Sequence, residues 1–221
     1  MITMSRYCRL ITSLLLAMTS IAASATTPEQ LVRDAAKQIG VTLTYDPSYR
    51  RLDYPNGDAP RNTGVCTDVV IRAYRDAYGF DLQRAVHEDM RKHFSRYPKN
   101  WGLRGPDRNI DHRRVPNLMR FLQRQGASLT VSKDAADYQT GDIVTWNLGG
   151  GITHIGLVDS GFVPGTKRPL VIHNIGAGTV REDILFRYTV TGHYRWSPAV
   201  SPATDQDSRG LPAPRDAAAQ R

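Results

Sequence analysis

The hydrophobic period of this chain changes once, and the change falls at Gly126. Before it, apolar residues recur at helical spacing. Leu31, Ala35, Ala36 and Ile39 line one face of PEQLVRDAAKQIG. Val69, Val70, Ala73 and Ala77 do the same after Cys66, and Leu118, Phe121 and Leu122 do so within 115–125. Gly40, Gly79 and Gly126 stand where such helices stop, and a further helical stretch covers 82–94. After Gly126 the apolar runs shorten to strand length, at 128–131, 142–147, 154–159 and 170–174, divided by Gly- or Pro-containing connections. Val180 and Ile184 continue the pattern, and 189–196 closes the sheet. Helices first and antiparallel-compatible strands second predict an α+β fold, with N-terminal helices packed on an antiparallel sheet.

The two ends read differently from this middle. Arg6 and Arg9 precede an apolar run from Leu10 to Ile21, and Ala23-Ser24-Ala25 supplies small residues for cleavage, so residues 1–25 read as a bacterial secretory signal peptide. That run is shorter than the roughly 18 apolar residues of a membrane span, and no later stretch approaches it. Stable membrane insertion is therefore not expected, and the destination is the periplasm or the cell exterior. Residues 197–221 are rich in Pro, Ala, Ser and charge and read as a disordered tail. The span 26–196 is left as one domain, large enough for a full core. Within it, 46–64 holds turn residues throughout and leads into Cys66, as functional loops do.

The formal charge is +8, and losing Arg6 and Arg9 leaves +6. In an exported protein this excess suits a cell-wall polymer or serves solubility. No nucleic-acid-binding module accompanies the charge, so nucleic acid is not an expected partner.

Cys66 is the single cysteine of the expected mature chain, since Cys8 falls in the leader. A spare thiol in an oxidising compartment calls for a chemical reason. Cys66 opens a helix, where unpaired N–H groups and the positive end of the macrodipole favour the thiolate. A histidine beside it can hold or take the thiol proton, and a third polar group can orient that histidine. His154, in GGGITHIGLVD, and His173 with Asn174, in PLVIHNIG, are the candidates. A lone cysteine or histidine is more often a packed core residue, but the order cysteine-helix, histidine-strand, polar-strand reverses that balance.

These residues resemble the NlpC-type cell-wall peptidases of papain-like fold. The matching features are Cys66-Thr67 at a helix start, His154-Ile155-Gly156-Leu157, Ile172-His173, and Gly141-Asp142-Ile143-Val144 before the histidine strand. More closely, YPNGDAP, GVCTDVV, DHRRVPN and the GDIV…HIG pair resemble a bacterial family known as domain of unknown function 1287, over roughly residues 30–196. The resemblance implies a Cys66–His154–His173 site and an upstream tyrosine whose hydroxyl helps to bind the oxyanion. Tyr45 fits that role by context and Tyr54 by distance from Cys66. The chain departs from the peptidase pattern at Val65, where an acidic residue is usual, and by an insertion over 80–127.

Asp111-His112-Arg113-Arg114 lies in a polar loop, where two arginines can grip a substrate carboxylate or simply form a solvated cap. Asp68, in the first turn after Cys66, suits the helix dipole or a substrate amine. The implied activity is a thiol hydrolase cutting an amide or peptide bond, with peptidoglycan as the expected substrate, through an acyl-thioester and without a cofactor. The alternative is a non-catalytic wall- or ligand-binding module that keeps the fold. A metal site from Cys66, His154 and His173 lacks support from HExxH or paired-cysteine spacing.

Overall fold

The computed structural model describes residues 26–198, so the leader and nearly all of the tail fall outside the described residues. Among the described residues, four α-helices precede the main sheet: α1 (Pro28–Ala36), α2 (Cys66–Tyr78), α3 (Leu82–His93) and α4 (Val115–Arg124). Two short strands, β1 (Thr44–Tyr45) and β2 (Thr63–Gly64), pair in parallel between α1 and α2. The six-stranded sheet consists of β3 (Ser128–Leu129), β4 (Ile143–Asn147), β5 (Thr153–Phe162), β6 (Pro169–His173), β7 (Val180–Glu182) and β8 (Thr189–Tyr194). Its order is β3-β8-β4-β5-β6-β7 with every neighbour antiparallel, so the fold is α+β as the period change indicated.

Three details depart from the sequence reading. The first helix ends four residues before Gly40, and the run at 128–131 contributes only two paired residues. The last strand does not close an edge but lies between β3 and β4, where it pairs Val144 with His193. An apolar alternation specifies which face a strand buries; it carries no information about which neighbour completes the ladder.

The sheet is buried on both faces. Ile143, Ile155, Leu157 and Ile172 pack against Leu31, Val69, Val70, Ala73, Leu118 and Phe121 of the helices. Val144, Trp146, Val158 and Val171 point the other way, onto Ile184, Leu185 and Tyr138. Double coverage is why β4 reads as a nearly unbroken apolar run rather than an alternating one. Fully burying one such aliphatic side chain contributes about 1.5–3 kcal/mol.

The long segment between β1 and β2 is held by a buried charge. Arg72, on α2 and fully buried, donates from Nε to Asp58 at 3.0 Å. Its other nitrogens reach Thr42 Oγ1 at 3.1 Å and the carbonyls of Ala59 and Thr63 at 3.1 and 3.0 Å. A guanidinium with five donors suits a loop whose carbonyls lack ladder partners. This fastening brings β2, and with it the start of α2, to a fixed place against the sheet.

Candidate functional site

Cys66 is the first residue of α2 and is 4% exposed. Val65 precedes it in extended conformation and has no side-chain acceptor for the helix N-terminus. Asp68 supplies one half of a capping box instead, accepting the Val65 N–H at 2.7 Å. At the other end Gly79, at φ 61°, closes α2 by donating to the Arg75 carbonyl at 2.9 Å.

The thiol lies against the start of β5, where the Ile155 N–H hydrogen-bonds Sγ together with the N–H groups of Thr67 and Cys66 itself. Burial is the larger influence and pushes the thiol up to about 11, with Asp68 adding to the rise and the three N–H groups opposing it. The helix terminus therefore acts as the sequence suggested, but desolvation outweighs it and Cys66 rests as a thiol.

His154 and His173 stand on one face of β5 and β6 with Nε2 of the first 3.0 Å from Nδ1 of the second. Their rings meet edge to face, 5.1 Å between centroids, and Trp146 flanks His154 at 5.8 Å. Burial, then the neighbouring His173, brings His154 down to about 3, so this imidazole is neutral at rest. His173 is also lowered, by burial first, with Glu182 opposing. Because His173 engages Nε2, the free nitrogen of His154 is Nδ1.

Gly156 explains why the motif reads His-Ile-Gly. It pairs with His173 across the sheet, and a Cβ there would come within 3.0 Å of the His173 Cβ and 2.9 Å of Val171 Cγ1. Any larger residue would push the second imidazole off its strand.

The structure separates the two candidate tyrosines. The β1–β2 pairing sets Tyr45 opposite Gly64, two residues before Cys66, and the Tyr45 hydroxyl hydrogen-bonds the Cys66 side chain. Burial first, and then Cys66, pushes that hydroxyl up to about 12. Tyr54 lies elsewhere, with its ring edge-on to His87 at 5.2 Å. Asn174 does not reach the imidazoles. Its Nδ2 donates to the Gly64 carbonyl at 3.2 Å and its Oδ1 accepts from the Gly176 N–H at 3.1 Å, so it ties the end of β6 to the turn before Cys66.

A cleft of about 210 Å³ opens beside the thiol, walled by Tyr45, Cys66, Trp101, Arg113, Arg114 and Thr153 among others. Of the polar loop, only the two arginines reach it. Asp111 and His112 are buried behind the wall, the latter held down to about 3 by desolvation. Arg113 is committed to Asp68 and to the Ser48 and Asp46 carbonyls, at 3.2 and 3.0 Å. Arg114 pairs with Asp111 at 3.0 Å and lies flat on Trp101, 4.1 Å from the ring centroid. Trp101 was not singled out from the sequence, where only its place in a basic irregular stretch is visible. A larger hollow of about 500 Å³ on the Val131–Phe186 side has no cysteine or histidine in its wall.

A family model described as a domain of unknown function (DUF1287) matches residues 32–196. The chain belongs to this family. YijF of Escherichia coli (strain K12), described as an uncharacterized protein, is 56% identical over 163 residues, covering 73% of this chain and 78% of that one. NlpC1 from Trichomonas vaginalis is similar at 15% identity and a TM-score of 0.40, over 78% of this chain and 45% of that chain. This chain thus spans less than half of NlpC1, and so distant a likeness carries no weight for the fold or the chemistry of this DUF1287 member.

Proposed function

We propose that this DUF1287 protein is an exported thiol hydrolase that cleaves an amide or peptide bond, with peptidoglycan as its substrate. The observation that carries the reading is the His154–His173 contact at 3.0 Å beside a thiol that the next residue, Ile155, hydrogen-bonds. A cysteine at a helix start, a histidine at a strand start and a second one on the next strand make a nucleophile, a base and an orienting group.

In this reading His154 Nδ1 takes the Cys66 proton as Sγ attacks the carbonyl carbon. The N–H of Cys66 and the Tyr45 hydroxyl donate to the oxygen that gains charge. Collapse breaks the C–N bond, and the His154 imidazolium returns its proton to the departing amine. Water, deprotonated by His154, then cleaves the thioester and releases the acid. The pair starts uncharged, so proton transfer accompanies attack and no standing ion pair is required.

Two arginines and no carboxylate wall the described cleft. That charge favours a substrate with a carboxylate near the scissile bond. Each arginine has a carboxylate partner, but the Arg114 side chain is partly exposed while that of Arg113 is buried, so Arg114 is the one placed to read it. A basic surface in an exported protein fits an anionic wall polymer.

The second reading, a non-catalytic binding module, draws on the same burial that raises the thiol to about 11. Digestion of purified peptidoglycan by the protein and by Cys66→Ala, with products read by mass, separates the two. Fragments from the parent protein alone establish a cysteine hydrolase and name the bond. Absence of fragments from both, together with retention of either protein on the polymer, leaves the binding module.

A further inference from the structure

The two imidazoles do not end the chain of polar groups. His173 Nε2 is buried and makes no hydrogen bond among the described residues, and the Oε2 of Glu182, on β7, is the carboxylate oxygen that approaches it, at 3.5 Å. Glu182 sits two residues along from the position paired with His173 and is half-exposed, with Arg187 Nη1 at 4.0 Å from the same oxygen. No other carboxylate faces either imidazole among the described ion pairs.

A neutral imidazole carries one N–H and one lone pair, and its neighbours decide which nitrogen holds which. A carboxylate accepts and does not donate. Facing His173 Nε2, it draws the proton of that ring to Nε2 and leaves the lone pair on Nδ1. That lone pair faces His154 Nε2 at 3.0 Å, so His154 carries its own proton there. The remaining lone pair of His154 is then on Nδ1. We propose that Glu182 is a positioning residue that fixes the proton pattern of both histidines and leaves Nδ1 of His154 as the basic nitrogen.

Without an acceptor at that place, a buried His173 Nε2–H has nothing to bond. The ring gains by carrying its proton on Nδ1 and donating to His154 Nε2. His154 then holds its proton on Nδ1, and in the hydrolase reading the thiol meets a donor where it needs a base. One side chain about two strands away thus switches the relay between a competent and an incompetent state.

The role in turnover rests on the hydrolase reading, but the proton pattern is a property of the folded protein and is read without substrate. The experiment is long-range proton–nitrogen NMR on the full protein with ¹⁵N-labelled histidine at neutral pH, its six histidines assigned by single substitutions. The expected result is Nε2–H with an unprotonated Nδ1 for both His154 and His173. In Glu182→Leu both protons move to Nδ1. In Glu182→Gln the amide carbonyl still accepts, and the parent pattern persists. Where hydrolysis is found, Glu182→Leu loses about 100-fold in kcat with KM unchanged, the scale of a misplaced general base, while Glu182→Gln stays within a few-fold.

A parent protein whose His173 is protonated on Nδ1, or a Glu182→Leu variant that keeps the parent pattern, overturns the proposal. Should the leucine variant fail to fold, the parent spectrum alone decides. The expected pattern in a protein that cuts nothing leaves the positioning role standing and removes the hydrolase.

Discussion

Asp68 and Arg113 meet edge to edge behind Cys66, Nε to Oδ1 at 3.1 Å and Nη2 to Oδ2 at 2.9 Å. Their side chains are 5% and 2% exposed, and Asp68 also caps the helix that begins with Cys66. The same guanidinium holds the carbonyls of Asp46 and Ser48, directly after Tyr45. One ion pair therefore fixes the helix start and the tyrosine strand relative to each other. Breaking it by Arg113→Ala leaves a buried carboxylate uncompensated and is expected to destabilise the fold by about 3–5 kcal/mol in urea denaturation. Arg114→Ala also leaves a buried carboxylate, Asp111, but one that keeps the Asp107 N–H as a donor, and it is expected to cost less, about 1–3 kcal/mol. Equal losses would show that Arg113 has no special structural part.

The tyrosines are distinguished by activity. Tyr45→Phe keeps the ring but removes the hydroxyl that reaches Cys66. Loss of one oxyanion donor lowers kcat by about 100- to 1,000-fold, and that is the expected effect on the hydrolysis rate. Tyr54→Phe keeps the ring that meets His87 and Arg108, removes a hydroxyl away from Cys66, and is expected to leave the rate unchanged. The reverse ranking would move the oxyanion site away from Tyr45.

How far these residues were visible beforehand follows from how local their signals are. Cys66, His154 and His173 each sit in a short segment whose neighbours announce it: a helical period after Cys66, glycines before His154, and Gly156 opposite His173. Which tyrosine stands beside Cys66 was not legible because a two-residue pairing with Thr63 and Gly64 brings Tyr45 there, and so brief a ladder leaves no periodic trace. Arg113 read as a substrate grip because its partner Asp68 lies 45 residues away. Trp101 and Glu182 were missed for the same reason, since each acquires meaning only from a contact made by the folded chain. The place of β8 between β3 and β4 is likewise a matter of topology that alternation does not encode.

The protonation states predict how the thiol reacts. Burial raises Cys66 to about 11, and alkylation needs the thiolate. The rate with iodoacetamide in the free protein is expected to be slow at pH 7 and to rise about tenfold per pH unit through pH 9, the slope of a thiol far below its pKa. A plateau already at neutral pH would mean a standing thiolate–imidazolium pair, and the concerted transfer proposed above would give way to one.

His112 ties stability to acidity. It is 2% exposed, its Nδ1 is buried without a partner, and desolvation holds it down to about 3 against an ordinary value of 6.5. A histidine lowered on folding is neutral in both states above 6.5, so it costs nothing there. As the pH falls below 6.5 the unfolded chain takes the proton and the folded one does not, until about pH 3. Each unit of that window removes about 1.4 kcal/mol, so the step from pH 7 to 5 removes roughly 2 kcal/mol through this residue alone. Denaturation of His112→Gln at both pH values is expected to recover that difference, with His154 and the other lowered histidines accounting for what slope remains. An unchanged pH dependence in His112→Gln would show that the imidazole takes up its proton in the folded protein.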